Sequence, residues 1–166
     1  MATITSSLIG ANIGSSDTTA LFSLGTTVNT NDGGRYTYCE ATSTFVTGEL
    51  VLLNPTSTAK TLLTSLLTAN AEGVNVGVAQ NIINQGEFGW FATQGRNLYV
   101  LCTGTCTAGS EIGVVFSANS GRFQNALVGG VGNTCLGVFV TTSASTAAQS
   151  VAIATLTWPR SVLMGA

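Results

Sequence analysis

The chain has 166 residues, 45% of them hydrophobic, and a formal net charge of −2 from five basic and seven acidic side chains. That length suits a single domain with a real core, and that hydrophobic content excludes wholesale disorder. Charged residues make up only 7%, against roughly 25% in an ordinary soluble domain, and Arg35, Lys60, Arg96, Arg122 and Arg160 form no run that would bind nucleic acid.

Residues 1–20 are rich in Thr, Ser, Ala, Asn and Gly, with Ile4, Leu8, Ile9 and Ile13 spaced among them. Two readings stand side by side. One is a floppy terminus; the other is an extended arm that orders against a neighbour with those aliphatics as anchors. The expected organisation is therefore an arm over 1–20 and a β-domain over 21–166. Met1 to Ile9 lacks the positive and apolar regions of a signal peptide. No run reaches the ~18 apolar residues of a membrane helix. Synthesis and retention in a cytoplasm, with no membrane partner, are the expectation.

Phe22 to Val28 and Arg35 to Ala41 read as strands joined around Asn31-Asp32-Gly33-Gly34, because Asp-Gly is a strong hairpin signal. Glu49 to Leu53 is a third strand, stopped at Asn54-Pro55 because proline cannot donate to a ladder. Thr58 to Ala71 is the one plausible helix, with Leu62, Leu63, Leu66 and Leu67 on a face and Ser57 or Thr58 as cap. Its threonines limit it to one or two turns, with room for a preceding strand.

Val76 to Ala79, Glu87 to Thr93 and Leu98 to Cys102 predict three further strands, with Gly86 and Gly95 at the joins. Phe88, Trp90 and Ala92 alternate with Glu87, Gly89, Phe91 and Thr93, the period of a pleated strand. Beyond a small-residue loop over Thr103 to Ser110, strands are expected at Ile112 to Phe116, Arg122 to Leu127, Leu136 to Val140 and Val151 to Trp158. The polar tract Thr141 to Ser150 reads as a surface loop. Aliphatic-Gly-Val recurs at Val76-Gly77-Val78, Ile112-Gly113-Val114 and Leu136-Gly137-Val138. Glycine inside a strand marks a bulge, a bend or a close backbone approach. The predicted fold is all-β: a single small β-barrel or β-sandwich with an extended N-terminal arm and at most one short helix.

Four cysteines (Cys39, Cys102, Cys106, Cys135) are few for a disulfide scaffold, and buried thiols are the default in a reducing compartment. Cys102 and Cys106 form the close pair, with spacing open to thiols, a bridge across a turn, or half a metal site. Zinc would need further ligands, and the chain has no histidine.

Without histidine, Ser-His-Asp and Cys-His arrangements are impossible. No carboxylates lie close enough in sequence to suggest an acid–base pair. Gly129-Gly130-Val131-Gly132 lacks the Lys-Ser/Thr of a phosphate loop. No catalysis, cofactor or metal is expected. Trp90, Trp158, Phe88, Phe91 and Tyr99 could line a sugar platform or fill a core, and aromatics in a β-domain more often fill the core.

Gly77-Val-Ala-Gln80, then Gly86-Glu-Phe-Gly-Trp-Phe91, then an apolar strand and a small-residue loop resemble a family of tailed-bacteriophage virion proteins. So do Phe22 to Val28, Asn31 to Tyr38 and the ending Ala152 to Arg160. The resemblance implies a capsid decoration or cement protein without enzymatic activity. Joined to the scarcity of charge, it gives a protein that binds the major capsid protein on the outer capsid surface, as a homo-oligomer and preferably a trimer. The alternative is a receptor- or glycan-binding module of a virion fibre or tail.

Overall fold

A computed structural model describes residues 11–54, 56–61, 75–103, 106–109, 111–115, 122–125, 134–143 and 150–162. These hold eleven strands and no helix: β1 (Ser16–Asp17), β2 (Thr27–Asn29), β3 (Arg35–Ala41), β4 (Leu50–Leu53), β5 (Thr58–Thr61), β6 (Val76–Ala79), β7 (Phe88–Cys102), β8 (Glu111–Val115), β9 (Arg122–Asn125), β10 (Thr134–Thr142) and β11 (Ser150–Val162). Among the described residues the chain is all-β, as its patterning predicts.

The strands form one sheet in the order β11-β10-β8-β9-β7-β6-β4-β5-β3-β2, with β1 on β7 and further pairings of β7 with β3 and β11. It does not close into one regular barrel. The pairings instead make two circuits that share β7. The N-terminal half of β7 pairs with β3 from Phe88 to Gln94 and with β6 at Phe91 and Ala92; β4 and β5 complete that circuit. The C-terminal half pairs with β11 from Gln94 to Cys102 and with β9 at Cys102; β8 and β10 complete the second circuit. Each circuit contains one short parallel pairing, β3 with β5 and β7 with β9.

Two departures from the sequence reading have clear causes. The strands expected on either side of Gly95 are one strand, because β11 pairs across the break. Gly95 and Asn97 take positive φ there, and the register shifts between Ala154 and Leu156, so the glycine bends β7 without ending it. Thr58–Thr61 is a strand where the helix was expected to begin, held between β4 and β3. The leucines from Leu62 to Leu67 lie outside the described residues.

The β2–β3 hairpin is closed where Asp-Gly predicts it. Gly33 N–H donates to the Thr30 carbonyl at 3.0 Å and Thr30 N–H to Gly34 at 2.8 Å. The Asp32 carboxylate accepts from the Thr30 hydroxyl and from Gly34 N–H, which holds its pKa below the ordinary aspartate value despite slight desolvation.

Buried side chains form two clusters. The larger gathers Tyr36, Tyr38, Leu50, Val78 and Trp90 with Val100, Phe123, Val138, Ala154 and Leu156, and so spans both circuits. The smaller packs Phe45, Val51, Ile83 and Phe91 with Cys39 on the opposite face of the first circuit. The period-2 alternation of β7 and β3 directs successive side chains to one cluster or the other.

Residues 11–17 join this domain. Ile13 is only 1% exposed and packs with Ala11 in the larger cluster, while β1 pairs with Phe88 and Gly89 of β7. The other three arm aliphatics, Ile4, Leu8 and Ile9, lie outside the described residues.

Candidate interaction surface

The outer face of the second circuit is built by alternation along β11. Ala152, Ala154 and Leu156 point into the core, which turns Val151, Ile153 and Thr155 outward. Directly paired residues on antiparallel strands share a face. Tyr99 of β7 pairs with Ile153, and Phe139 of β10 pairs with Thr155. The result is a patch in which Tyr99, Phe139 and Val151 are 38%, 50% and 48% exposed, with Ile153 half-buried among them and Glu111 of β8 paired with Phe139 at its border. Sequence periodicity alone assigns Phe139 and Val151 to continuous apolar strands; only the pairing shows which side they face.

The backbone beneath Tyr99 is held by a side chain. Gln80 Nε2 donates to the Tyr99 carbonyl at 3.1 Å, and Tyr99 N–H donates to Gln80 Oε1 at 2.9 Å. This primary amide stands in for a neighbouring strand where β6 no longer reaches β7. Elsewhere Leu21, Leu24, Val46 and Ile82 are exposed. Val46 and Ile82 flank the Phe45–Ile83 bridge.

The sugar-platform aromatics are divided by the fold. Trp90 and Phe91 are buried, Phe88 is half-buried and Tyr99 is exposed. The Trp158 side chain lies outside the described residues. Trp90 sits instead in an aromatic cluster with Tyr38 and Phe22, at ring-centroid distances of 4.9 and 5.2 Å.

Cys102 and Cys106 are joined as a disulfide, with Cα atoms 6.3 Å apart, and both are fully buried. Cys39 is a buried free thiol whose pKa is pushed up to about 12 by burial, so it stays protonated and unreactive at neutral pH. The Cys135 side chain lies outside the described residues. Among the described residues, no group of three or more His, Cys, Asp or Glu side chains is placed to hold a metal ion.

Besides Asp32, two carboxylates have shifted acidities, and both serve turns. Glu49 closes the Val46–Glu49 turn, accepting from Val46 N–H at 3.0 Å. Burial raises its pKa, opposed by that hydrogen bond and by the charge of Arg122. Glu87 accepts from the Ser16 hydroxyl at 2.6 Å, from Asn84 N–H at 3.0 Å and from the Asn84 amide at 3.1 Å. These contacts, Ser16 foremost, lower its pKa.

A lowered carboxylate pKa gives stability that is present above the unfolded value, about 4.3 for glutamate, and is lost as pH falls through the folded value. Ser16→Ala should therefore raise the Glu87 pKa, read by carboxyl NMR titration. The Tm gap between this variant and the unaltered protein should narrow below about pH 4.3. An unmoved Glu87 titration would show that Ser16 does not hold the carboxylate.

The described residues define an all-β fold with large apolar side chains exposed on the outer face of its second circuit. No protein-family model matches the chain, and no curated protein matches it. Among solved structures it is similar to the N base of head fibre gp8.5 of bacteriophage phi29, at 8% sequence identity and a TM-score of 0.44, over 75% of this chain and 95% of that one. A likeness that loose carries no argument about function.

Proposed function

We propose that this chain is a bacteriophage virion structural protein that binds the outer capsid surface and cements neighbouring major-capsid subunits without catalysis. The observation that carries the reading is the group of large apolar side chains exposed on the outer face of the second circuit, Tyr99, Phe139 and Val151. The chain's 7% charged residues and the resemblance of its strand motifs to tailed-phage virion proteins support it. The mechanism is passive. Apolar surface buried across a subunit junction is removed from water, and a ligand that binds only the assembled shell stabilises it by mass action. A homotrimer with copies seated where shell subunits meet is the arrangement proposed.

The test is binding of the purified protein to empty heads of the phage that encodes it. Tyr99→Ser with Phe139→Ser should weaken binding about thirtyfold to a thousandfold, as two truncated aromatic anchors do at about 1–2 kcal/mol each. Thermal unfolding should stay within a few degrees, because both side chains face outward. Unchanged head binding by the folded double variant would overturn the proposal. The exposure of Tyr99 also fits a glycan-binding module of a fibre or tail. Saturable binding to a glycan, lost in Tyr99→Ser while head binding persists, would favour that reading.

A further inference from the structure

The second circuit is closed by its weakest seam. β7 meets β9 through the single pair Cys102–Phe123, whereas β8 and β9 pair at four positions from Ile112–Asn125 to Val115–Arg122. At this seam Thr103 N–H donates to the Phe123 carbonyl at 2.8 Å. Cys102 also pairs with Ser150 of β11, so it stands between two strands of the circuit it closes.

The disulfide reaches over this seam. Cys106 Sγ lies 3.6 Å from the same Phe123 carbonyl oxygen. Beyond Cys106, Ala108 N–H donates to Ser143 Oγ and Gly109 N–H to the Val140 carbonyl, both at 2.9 Å. The bridge therefore ties the end of β7 to a segment that is fastened to β10. Both sulfurs and the Phe123 ring are fully buried.

We infer that the Cys102–Cys106 bridge is a redox lock on the β7–β9 seam: oxidised, it holds the second circuit shut, and it exchanges with solution thiols only when that seam opens. Closing the lock takes a small-molecule disulfide as oxidant. One cysteine thiolate attacks it, forming a mixed disulfide and releasing one thiolate. The second cysteine thiolate then attacks the mixed disulfide, forming the Cys102–Cys106 bond and releasing the other thiolate. The two electrons given up by the cysteines reduce one small disulfide to two thiols. Reduction is the reverse, and a buried sulfur offers no line of attack until the strands part.

The test uses the full chain, oxidised and then reduced with dithiothreitol, under native conditions. Peptide mapping after alkylation follows each cysteine, with buried Cys39 as an internal reference. Native reduction should run at least about a hundredfold slower than reduction of the guanidinium-unfolded chain, because a locally protected site reacts only from its open form. Hydrogen exchange at Thr103, Ala108 and Gly109 should then accelerate about tenfold or more in the reduced protein, while Gly25 and Tyr38 of the first circuit stay unchanged. Cys102→Ala with Cys106→Ala should reproduce the reduced pattern; should that variant not fold, the reduced native chain gives the comparison. Alkylation of both cysteines in the native, unreduced protein would overturn the inference. So would reduction as fast as in the unfolded chain, or exchange that is unchanged or accelerated throughout.

Discussion

Gly48→Ala should lower the unfolding free energy by about 2–5 kcal/mol, the sum of about 1–2 for a left-handed backbone and about 1–3 for overpacking. Gly48 has φ +86, and a Cβ built on it would lie 2.6 Å from Leu101 N and 2.8 Å from the Val100 carbonyl carbon. Those atoms are backbone, so no side chain can swing away. They belong to the C-terminal half of β7, whereas Gly48 opens the turn into β4; its own N–H donates to the Ala79 carbonyl at 2.7 Å and its carbonyl accepts from Leu101 N–H at 2.8 Å. Gly48 is thus where the first circuit touches the second. Gly86→Ala is the control, because Gly86 also has positive φ, +80, yet has nothing within 4 Å of its Cβ position. It should lose only the backbone share, about 1–2 kcal/mol. Denaturant unfolding of the two variants separates the effects. Equal losses would mean that the close approach at Gly48 costs nothing.

That junction also shows where sequence reading stops. The hairpin at Asp32-Gly33, the strand β4 before Pro55 and the apolar run of β6 are set by nearest neighbours, and the chain spells them out. The continuity of β7 is not local. Gly95 carries a break signal, and only the pairing of Leu156 with Gly95 and Ala154 with Leu98 carries the strand across it. Thr58–Thr61 makes the same point. Leucine spacing beyond it suggests a helix, yet ladders on both sides hold those four residues extended, and tertiary pairing outranks weak propensity.

Glycine within strands was legible in kind. At Gly137 the β10–β11 register shifts between Leu136 and Val138, and the Thr157 carbonyl lies 2.6 Å from where a Cβ would stand. The interaction surface was not legible. Phe139 sits between Val138 and Val140, and Val151 opens the apolar run Val151-Ala-Ile-Ala154; their exposure follows from which strand lies opposite. For Cys102 and Cys106 the spacing admits a bridge, but its meaning depends on the seam with Phe123, a residue 17 positions beyond Cys106.

Trp90→Ala should destabilise the protein by about 3–5 kcal/mol, the usual loss when a buried Phe or Trp is truncated. Trp90 is among the largest fully buried side chains, in the cluster that spans both circuits. Its ring also receives the chain before β2. Phe22 meets it edge-on at 5.2 Å and meets Tyr38 at 5.3 Å, while the Tyr38 hydroxyl accepts a hydrogen bond from Leu21 N–H at 3.2 Å. Removing the indole opens a cavity and takes away the surface on which residues 21–22 rest. Two effects should therefore appear together: a loss of global stability by denaturant unfolding, and faster hydrogen exchange at Leu21. A Phe22–Trp90 double-mutant cycle isolates the second, with a coupling of about 0.5–1.5 kcal/mol expected for an aromatic pair. Zero coupling would mean that Phe22 packs independently of the indole. A stability loss below about 1 kcal/mol in Trp90→Ala would mean that the cluster closes over the gap, since the cost of truncation depends on how well the site can collapse. With the net stability of a domain only about 5–15 kcal/mol, a loss of that size would take away a large share of the fold's margin.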